Sequence, residues 1–137
     1  MFGALDTSTS ALIAHRTRMD VISANLANAN SIDDGHGNNV PFRRRLAILS
    51  PGESGSVAGR NRSGVHVREI ELDPSNFRKA YEPDHPLADD AGYVSYPNID
   101  PMTEQINALE VARAYEANIQ AAEATKTMMQ AALRLLA

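Results

Sequence analysis

Apolar residues recur at helical spacing over the two ends of this chain but not over its middle. Leu5, Leu12, Met19 and Leu26 lie seven apart, and Ile22 and Ala29 sit three beyond the last two. This a/d pattern of about four heptads predicts a helix of roughly 39 Å from about Leu5 to Asn30, with a coiled-coil seam, so that residues 1–30 form an N-terminal helical region. Asp6, Thr7, Ser8 and Ser10 all offer capping oxygens, so its start is open by a turn. Asn28 and Asn30 mark its end, because Asn tolerates the left-handed conformation that closes helices. A second helix is predicted over 101–137, about 55 Å long. Asp100-Pro101 marks its start sharply, since Asp caps well and Pro suits the first helical position. Met102, Ile106 and Leu109 form one apolar row along it. Ala112, Tyr115, Ile119, Ala122, Met129, Leu133 and Leu136 form a second, interrupted by Lys126. The two rows are out of phase, as a stutter in a single heptad seam would make them.

Residues 31–100 read differently. Asp34 to Asn39 is a turn by composition, and Pro51 to Gly64 is a Gly- and Ser-rich loop or hairpin tip. Phe42 to Leu49 reads as a strand. Val65, Val67, Ile70 and Leu72 alternate with polar residues but slip phase near Glu69, which predicts a strand with a bulge. Pro74, Pro83, Pro86 and Pro97 forbid a long helix between Asp73 and Asn98, leaving an extended, turn-rich connector. The expected fold is mainly α: N- and C-terminal helices form an antiparallel coiled-coil-like layer, and a small irregular β-containing region lies between them.

Composition narrows the function. The chain has 137 residues, 43% hydrophobic but only 5% aromatic and without Trp, so a thick core is not expected. Much of the apolar content is Ala, which suits close helix–helix packing. A net charge of −4 argues against a general nucleic-acid binder, which needs surplus Lys and Arg. The absence of Cys excludes disulfides, thiolate metal sites and a Cys nucleophile. It also suits a life outside the cytoplasm, where a free thiol would oxidise or mispair. No run is long and apolar enough to span a bilayer, and the first twenty residues lack the basic-then-apolar order of a cleaved leader.

No catalytic set is visible. His15, His36, His66 and His85 lack the spacing of a metal-binding helix, and Asp84, Asp89 and Asp90 lack the order of a calcium loop. The expectation is no enzyme, no metal and no cofactor. His85, before Pro86, is expected in a turn with its ring on Tyr93 or Tyr96. Arg43, Arg44 and Arg45 are expected at a strand start with two of them solvated. A sharper reading pairs them with acids of an adjacent copy, with Glu104, Glu110, Glu116 and Glu123 as candidate acceptors.

The energetics point outward. Closing a loop of about 70 residues costs about 4 kcal/mol. Ordering backbone costs about 1–2 kcal/mol per residue, against roughly 1.5–3 for each fully buried Leu, Ile or Met. A lone two-helix pair is marginal, so the ends are expected to be labile alone and to become fixed when several copies share a helical core.

Several motifs carry a family resemblance. Leu5-Asp6-Thr7-Ser8, the run MDVISANLANAN from Met19 to Asn30, and Pro41-Phe42-Arg43-Arg44 resemble the N-terminal signature of bacterial flagellar rod and hook proteins. Three later stretches resemble the proximal rod members in particular: Asp84-His85-Pro86-Leu87-Ala88-Asp89, Gly92 to Asn98 (GYVSYPN), and Arg113-Ala114-Tyr115-Glu116-Ala117-Asn118. The match spans nearly the whole chain in order. Phe42 departs from the commoner Tyr, and the Ser31–Asn39 and Pro51–Gly64 loops look individual.

The resemblance implies a structural subunit of the basal-body rod in the periplasm, exported unfolded by the flagellar type III apparatus. Its partners would be other copies of itself, neighbouring rod proteins and the adapter that joins the rod to the MS ring. Nucleic acid and direct membrane insertion are not expected. The candidate contact residues are Leu5, Leu12, Met19, Ile22, Asn25, Leu26, Asn28, Asn30, Tyr115, Ile119, Met129, Leu133 and Leu136. For the three asparagines, subunit contact competes with simple capping of the helix end. From a different class, a soluble adaptor or export-chaperone-like module presenting its last helix to one partner also fits the pattern.

Overall fold

The structure, a computed structural model, describes residues 2–33, 35–52 and 64–136. Elements follow in the order α1 (Phe2–Ala27), β1 (Arg45–Pro51), β2 (Val65–Leu72), β3 (Arg78–Tyr81), β4 (Tyr93–Tyr96) and α2 (Pro101–Leu136). Most of the Pro51–Gly64 loop, and Asp34 of the earlier turn, lie outside the described residues.

Helix α1 has no Gly or Pro after Gly3, so nothing breaks it for six turns. Its end differs in mechanism from the expectation. No non-Gly residue among those described has a positive φ, so Asn28 does not close the helix in a left-handed conformation. Instead its side-chain amide donates to the Ala24 carbonyl at 2.9 Å, and its own carbonyl accepts from Ser31 N at 3.1 Å. The same Ala24 oxygen also accepts from Asn28 N at 3.1 Å, so the side chain adds a second bond to the last helical carbonyl and fixes the turn that follows.

One side of α1 packs on α2 and another on the β1–β2 hairpin. Two partners explain why the expected seam is not its most enclosed row. Leu5, Leu12, Met19 and Leu26 are only half-buried, while Ala14, Val21, Ile22 and Asn25 are buried.

Strands β1 and β2 pair antiparallel from Arg45↔Leu72 to Pro51↔Val65. Ile48 faces Glu69 while Leu49 faces Val67, so Arg68 is the extra residue of a bulge. The bulge falls beside Glu69, where the alternation slips. It has a consequence for burial, because Val65 and Val67 are half-buried whereas Ile70 and Leu72 beyond it are exposed.

The connector contains a second hairpin that periodicity does not reveal. β3 pairs with β4 from Arg78↔Tyr96 to Tyr81↔Tyr93, and Val94 is fully buried. Four-residue strands are too short for a period of two to stand out among prolines. Their turn is closed by Asp89, whose carboxylate accepts from Ala91 N at 3.0 Å and Tyr93 N at 2.8 Å. Gly92 takes φ 82°, and a Cβ there would sit 3.0 Å from the Tyr81 ring. His85 does occupy a turn, accepting from Leu87 N through Nδ1 at 3.1 Å. The two tyrosines expected near its ring have contacts of their own. Tyr93 meets Tyr81 edge-on at 5.3 Å, while the Tyr96 hydroxyl donates to Glu82 and its ring lies under Arg78.

Helix α2 starts where Asp100-Pro101 predicts. The Asp100 carboxylate accepts from Met102 N at 3.2 Å and from Thr103 N at 3.3 Å. The less exposed positions of α2 include Glu104, Ala108, Val111, Tyr115, Asn118, Ala122, Thr125, Met129 and Ala132, an unbroken alternation of fours and threes. Met102, Ile106 and Leu109 lie off this row and are exposed. The helix is regular throughout, so no stutter is needed: Tyr115, Ala122 and Met129 of the second expected row fall on the covered face, while Ile119 and Leu133 of that row do not.

Candidate functional site

The end of α1, the start of β1 and the first turn of α2 meet at a polar junction. Asn25, only 1% exposed, uses its amide like a strand segment: Nδ2 donates to the Arg45 carbonyl at 2.9 Å, and Oδ1 accepts from Arg45 N at 2.9 Å. The same Nδ2 donates to Glu104 Oε2 at 3.0 Å. Glu104 is also 1% exposed, and its other oxygen accepts from Arg44 Nε at 3.0 Å and Nη2 at 2.5 Å. Arg44 extends the network through Nη1 to Asp73 at 3.4 Å. Arg43 donates to the carbonyls of Asp73 and Ser75 and lies over the Phe77 ring.

A buried carboxylate is tolerable only when its charge and lone pairs are met, and here one Arg and one Asn meet them. The junction clamps both helices to the β1–β2 hairpin by groups separated by as many as 79 positions in sequence. Burial opposes the Arg44 charge, but the hydrogen bonds and charge of Glu104, and then of Asp73, outweigh it and raise its pKa above the ordinary guanidinium value. Hydrogen bonds from Ser75, with help from Arg44, hold Asp73 below its ordinary 3.8. The Thr103 hydroxyl and Met102 N do the same for Asp100. Burial, with Arg18 nearby, pushes His15 below its ordinary 6.5, and its buried Nδ1 has no hydrogen-bond partner among the described residues.

The three depressed groups, Asp73, Asp100 and His15, favour the fold as pH rises. A group whose folded pKa is depressed adds stability above its unfolded value, and that stability is lost as pH falls through the folded value. Urea midpoints should therefore decline in two stages: below about pH 6.5 as His15 must be charged, and again below about pH 4 through Asp73 and Asp100. In His15→Gln the first stage should vanish and the second remain. An unchanged decline between pH 7 and 5 in that variant would discard the His15 assignment.

The sequence-predicted contact residues fall into groups. Ile22 and Asn25 are buried within the chain, and Asn25 spends its amide on Arg45 and Glu104. Asn28 is half-buried and caps its own helix, while Asn30 is exposed. Leu5, Leu12, Met19, Leu26, Tyr115 and Met129 are half-buried along the helices. Ile119 and Leu133 are exposed, and the side chain of Leu136 lies outside the described residues.

The arginine reading is corrected in part. Arg44 finds Glu104 in its own chain, one of the acceptors expected on an adjacent copy. Arg43 is engaged as well, and Arg45 lies over Phe42. Asp73 and the internal role of Asn25 were not foreseen. The Asn-rich motif flagged Asn25 and nothing flagged Asp73, because pairing at such separation is set by tertiary contact.

Among the described residues no group of His, Cys, Asp and Glu could hold a metal, and no helix is long and apolar enough to cross a membrane. What distinguishes the surface is its exposed apolar content on the end helices. Ile13, Met102, Ile106, Leu109, Met128, Leu133 and Leu135 are each more than half exposed, against five buried apolar residues.

Comparison with known proteins agrees over nearly the full length. Residues 5–31 match a profile described as "Flagella basal body rod protein". Residues 90–135 match one described as "Flagellar basal body rod FlgEFG protein C-terminal". The flagellar basal-body rod protein FlgC of Bacillus subtilis is 41% identical over 98% of this chain and 97% of its own length. That of Aquifex aeolicus is 37% identical over 95% and 92%. The FlgC of Salmonella typhimurium is 33% identical over 98% and 97%. With both end helices matched by rod profiles and the middle carried along in full-length alignment, the chain belongs to the FlgC family of flagellar basal-body rod proteins.

Proposed function

We propose that the chain is a structural subunit of the bacterial flagellar basal-body rod, built into it through its two end helices. It is not an enzyme; its relatives are named for a rod and not for a reaction. The observation that carries the assembly reading is the exposed apolar surface of α1 and α2, because a chain with no partner gains nothing by leaving Met102, Ile106 and Leu109 in water. The fours-and-threes row of α2 supports an antiparallel coiled-coil-like pairing with α1 as the unit that assembles.

The mechanical work follows from this design. Burying a large apolar side chain contributes roughly 1.5–3 kcal/mol, so several per subunit outweigh the cost of association and make a stiff joint. The junction at Asn25, Arg44 and Glu104 ties the hairpin to the helix pair, so that load on one reaches the other without the chain hinging between them. Other copies, neighbouring rod proteins and the MS-ring adapter are the proposed partners. The proposed route is unfolded passage through the flagellar type III apparatus, with assembly in the periplasm around an axial channel.

Deletion of this gene in its host should leave cells non-motile, with basal bodies that stop at the ring and carry no rod by electron microscopy. Restoring the gene in trans should restore both. Complete rods in the deletion strain would overturn the assignment.

A further inference from the structure

Helix α1 is fastened to the β1–β2 hairpin at both ends of that hairpin. At one end Asn25 holds Arg45 of β1 through two bonds of 2.9 Å. At the other the Ser10 hydroxyl accepts from Val65 N of β2 at 3.1 Å. Ser10 and Asn25 are fifteen residues apart, about 22 Å of helix. Arg45 to Pro51, which pairs with Val65, is six steps, about 20 Å of strand. The spacing of the two fastenings on α1 therefore matches the length of the hairpin, and the helix crosses from one strand to the other between them.

The Ser10 end is a close fit. Gly52 N donates to the Gly64 carbonyl at 2.9 Å and so seats Gly64 in line with the strands. A Cβ on Gly64 would sit 2.7 Å from Ser10 Oγ, and its φ of 137° is one that side chains rarely adopt. The Ser10 hydroxyl has a single proton and donates it to the Thr7 carbonyl at 2.8 Å. Only its lone pairs then face Val65 N. Thr7 O and Ser10 Oγ are brought together by the helical turn, so the hydroxyl holds that orientation only while residues 7–10 are wound.

We infer that Ser10, Gly64 and Val65 form a conformational latch, which seats this end of the hairpin on α1 only when the first turns of the helix have formed. Unwinding of residues 7–10 turns the hydroxyl away and leaves Val65 N without its acceptor. The Asn25 fastening, about four turns along, stays closed. The pose of the hairpin thus reports the order of the start of α1. This coupling goes beyond the rod-subunit reading and does not depend on it.

Hydrogen exchange, resolved by residue and measured on rods isolated from cells, tests the latch in full-length chains. Ser10→Ala should speed exchange at Val65 about tenfold, the scale of one lost hydrogen bond, and leave residues 69–72 at the other end of β2 unchanged. Thr9→Ala, at the exposed neighbouring position, should change neither. Gly64→Ala should also speed Val65, and combining it with Ser10→Ala should add nothing to the larger single effect, because both act on one contact. Thr9→Gly with Ala11→Gly loosens the turn without altering a latch group, and should speed Val65 as well. Unchanged exchange at Val65 in Ser10→Ala, an equal rise along all of β2, or additive effects of Ser10→Ala and Gly64→Ala overturn the latch. Val65 as protected as in the parent when the turn is loosened overturns its coupling to the helix. Absence of the chain from isolated rods would instead count against the rod-subunit reading, and the same comparison is then made on the purified chain.

Discussion

A Glu104→Ala chain should unfold with about 3 kcal/mol less stability than the parent, a loss measurable as a lower urea midpoint at pH 7. Glu104 is 1% exposed and accepts from both Asn25 and Arg44. Its removal leaves Arg44, whose side chain is 22% exposed, with only the longer contact to Asp73. Breaking one side of a buried ion pair costs about 3–5 kcal/mol, because the remaining charge stays desolvated. The lower end applies here, since Asp73 and partial exposure still serve Arg44. Glu104→Gln separates the two parts of the effect: it keeps an acceptor for Asn25 but removes the charge, and should lie between parent and Ala variant. A drop below about 0.5 kcal/mol for Glu104→Ala would place it among ordinary surface changes and remove the junction from the account.

The second large effect should be seen in assembly and not in folding. In Leu133→Asp the protein should be exported and fold with parental circular dichroism, yet cells should lack rods and not swim. Leu133 is 65% exposed in the single chain, so a charge there costs little before assembly. In a buried contact between subunits the same charge would be desolvated without a partner, a penalty of several kcal/mol repeated at each copy. Fractionation, electron microscopy of basal bodies and swimming in soft agar distinguish export, rod formation and function. Normal rods in this variant would remove Leu133 from the contact surface.

How much of this was legible beforehand differs by element. Both helices were visible, since their apolar spacing extends over many turns and Asp100-Pro101 is an unambiguous start. The bulge beside Glu69 was visible too, because a slip of one residue inverts a strand's faces and so leaves a trace in the alternation. The β3–β4 hairpin was hidden: Arg78 to Tyr81 and Tyr93 to Tyr96 are each four residues long and depend on the Asp89–Gly92 turn and on Val94 reaching the core. The candidate site was half legible. Asn25, Arg44 and Glu104 stood out individually, but their partners did not, and all three were assigned across a subunit boundary.

By itself the chain determined the helical ends, the irregular middle, the want of catalytic chemistry and a family resemblance spread over its motifs. These are local properties, governed by the period of the backbone and by residue type. Only tertiary structure decided which face of each helix is spent inside the protomer and which is left over. Helical periodicity specifies that an apolar stripe exists, but an exposed stripe and a buried one have the same spacing. What separates Val111 from Ile106 is the position of α1, and that position is set by contacts such as Asn25 with Glu104, distant in sequence and joined only when the chain folds.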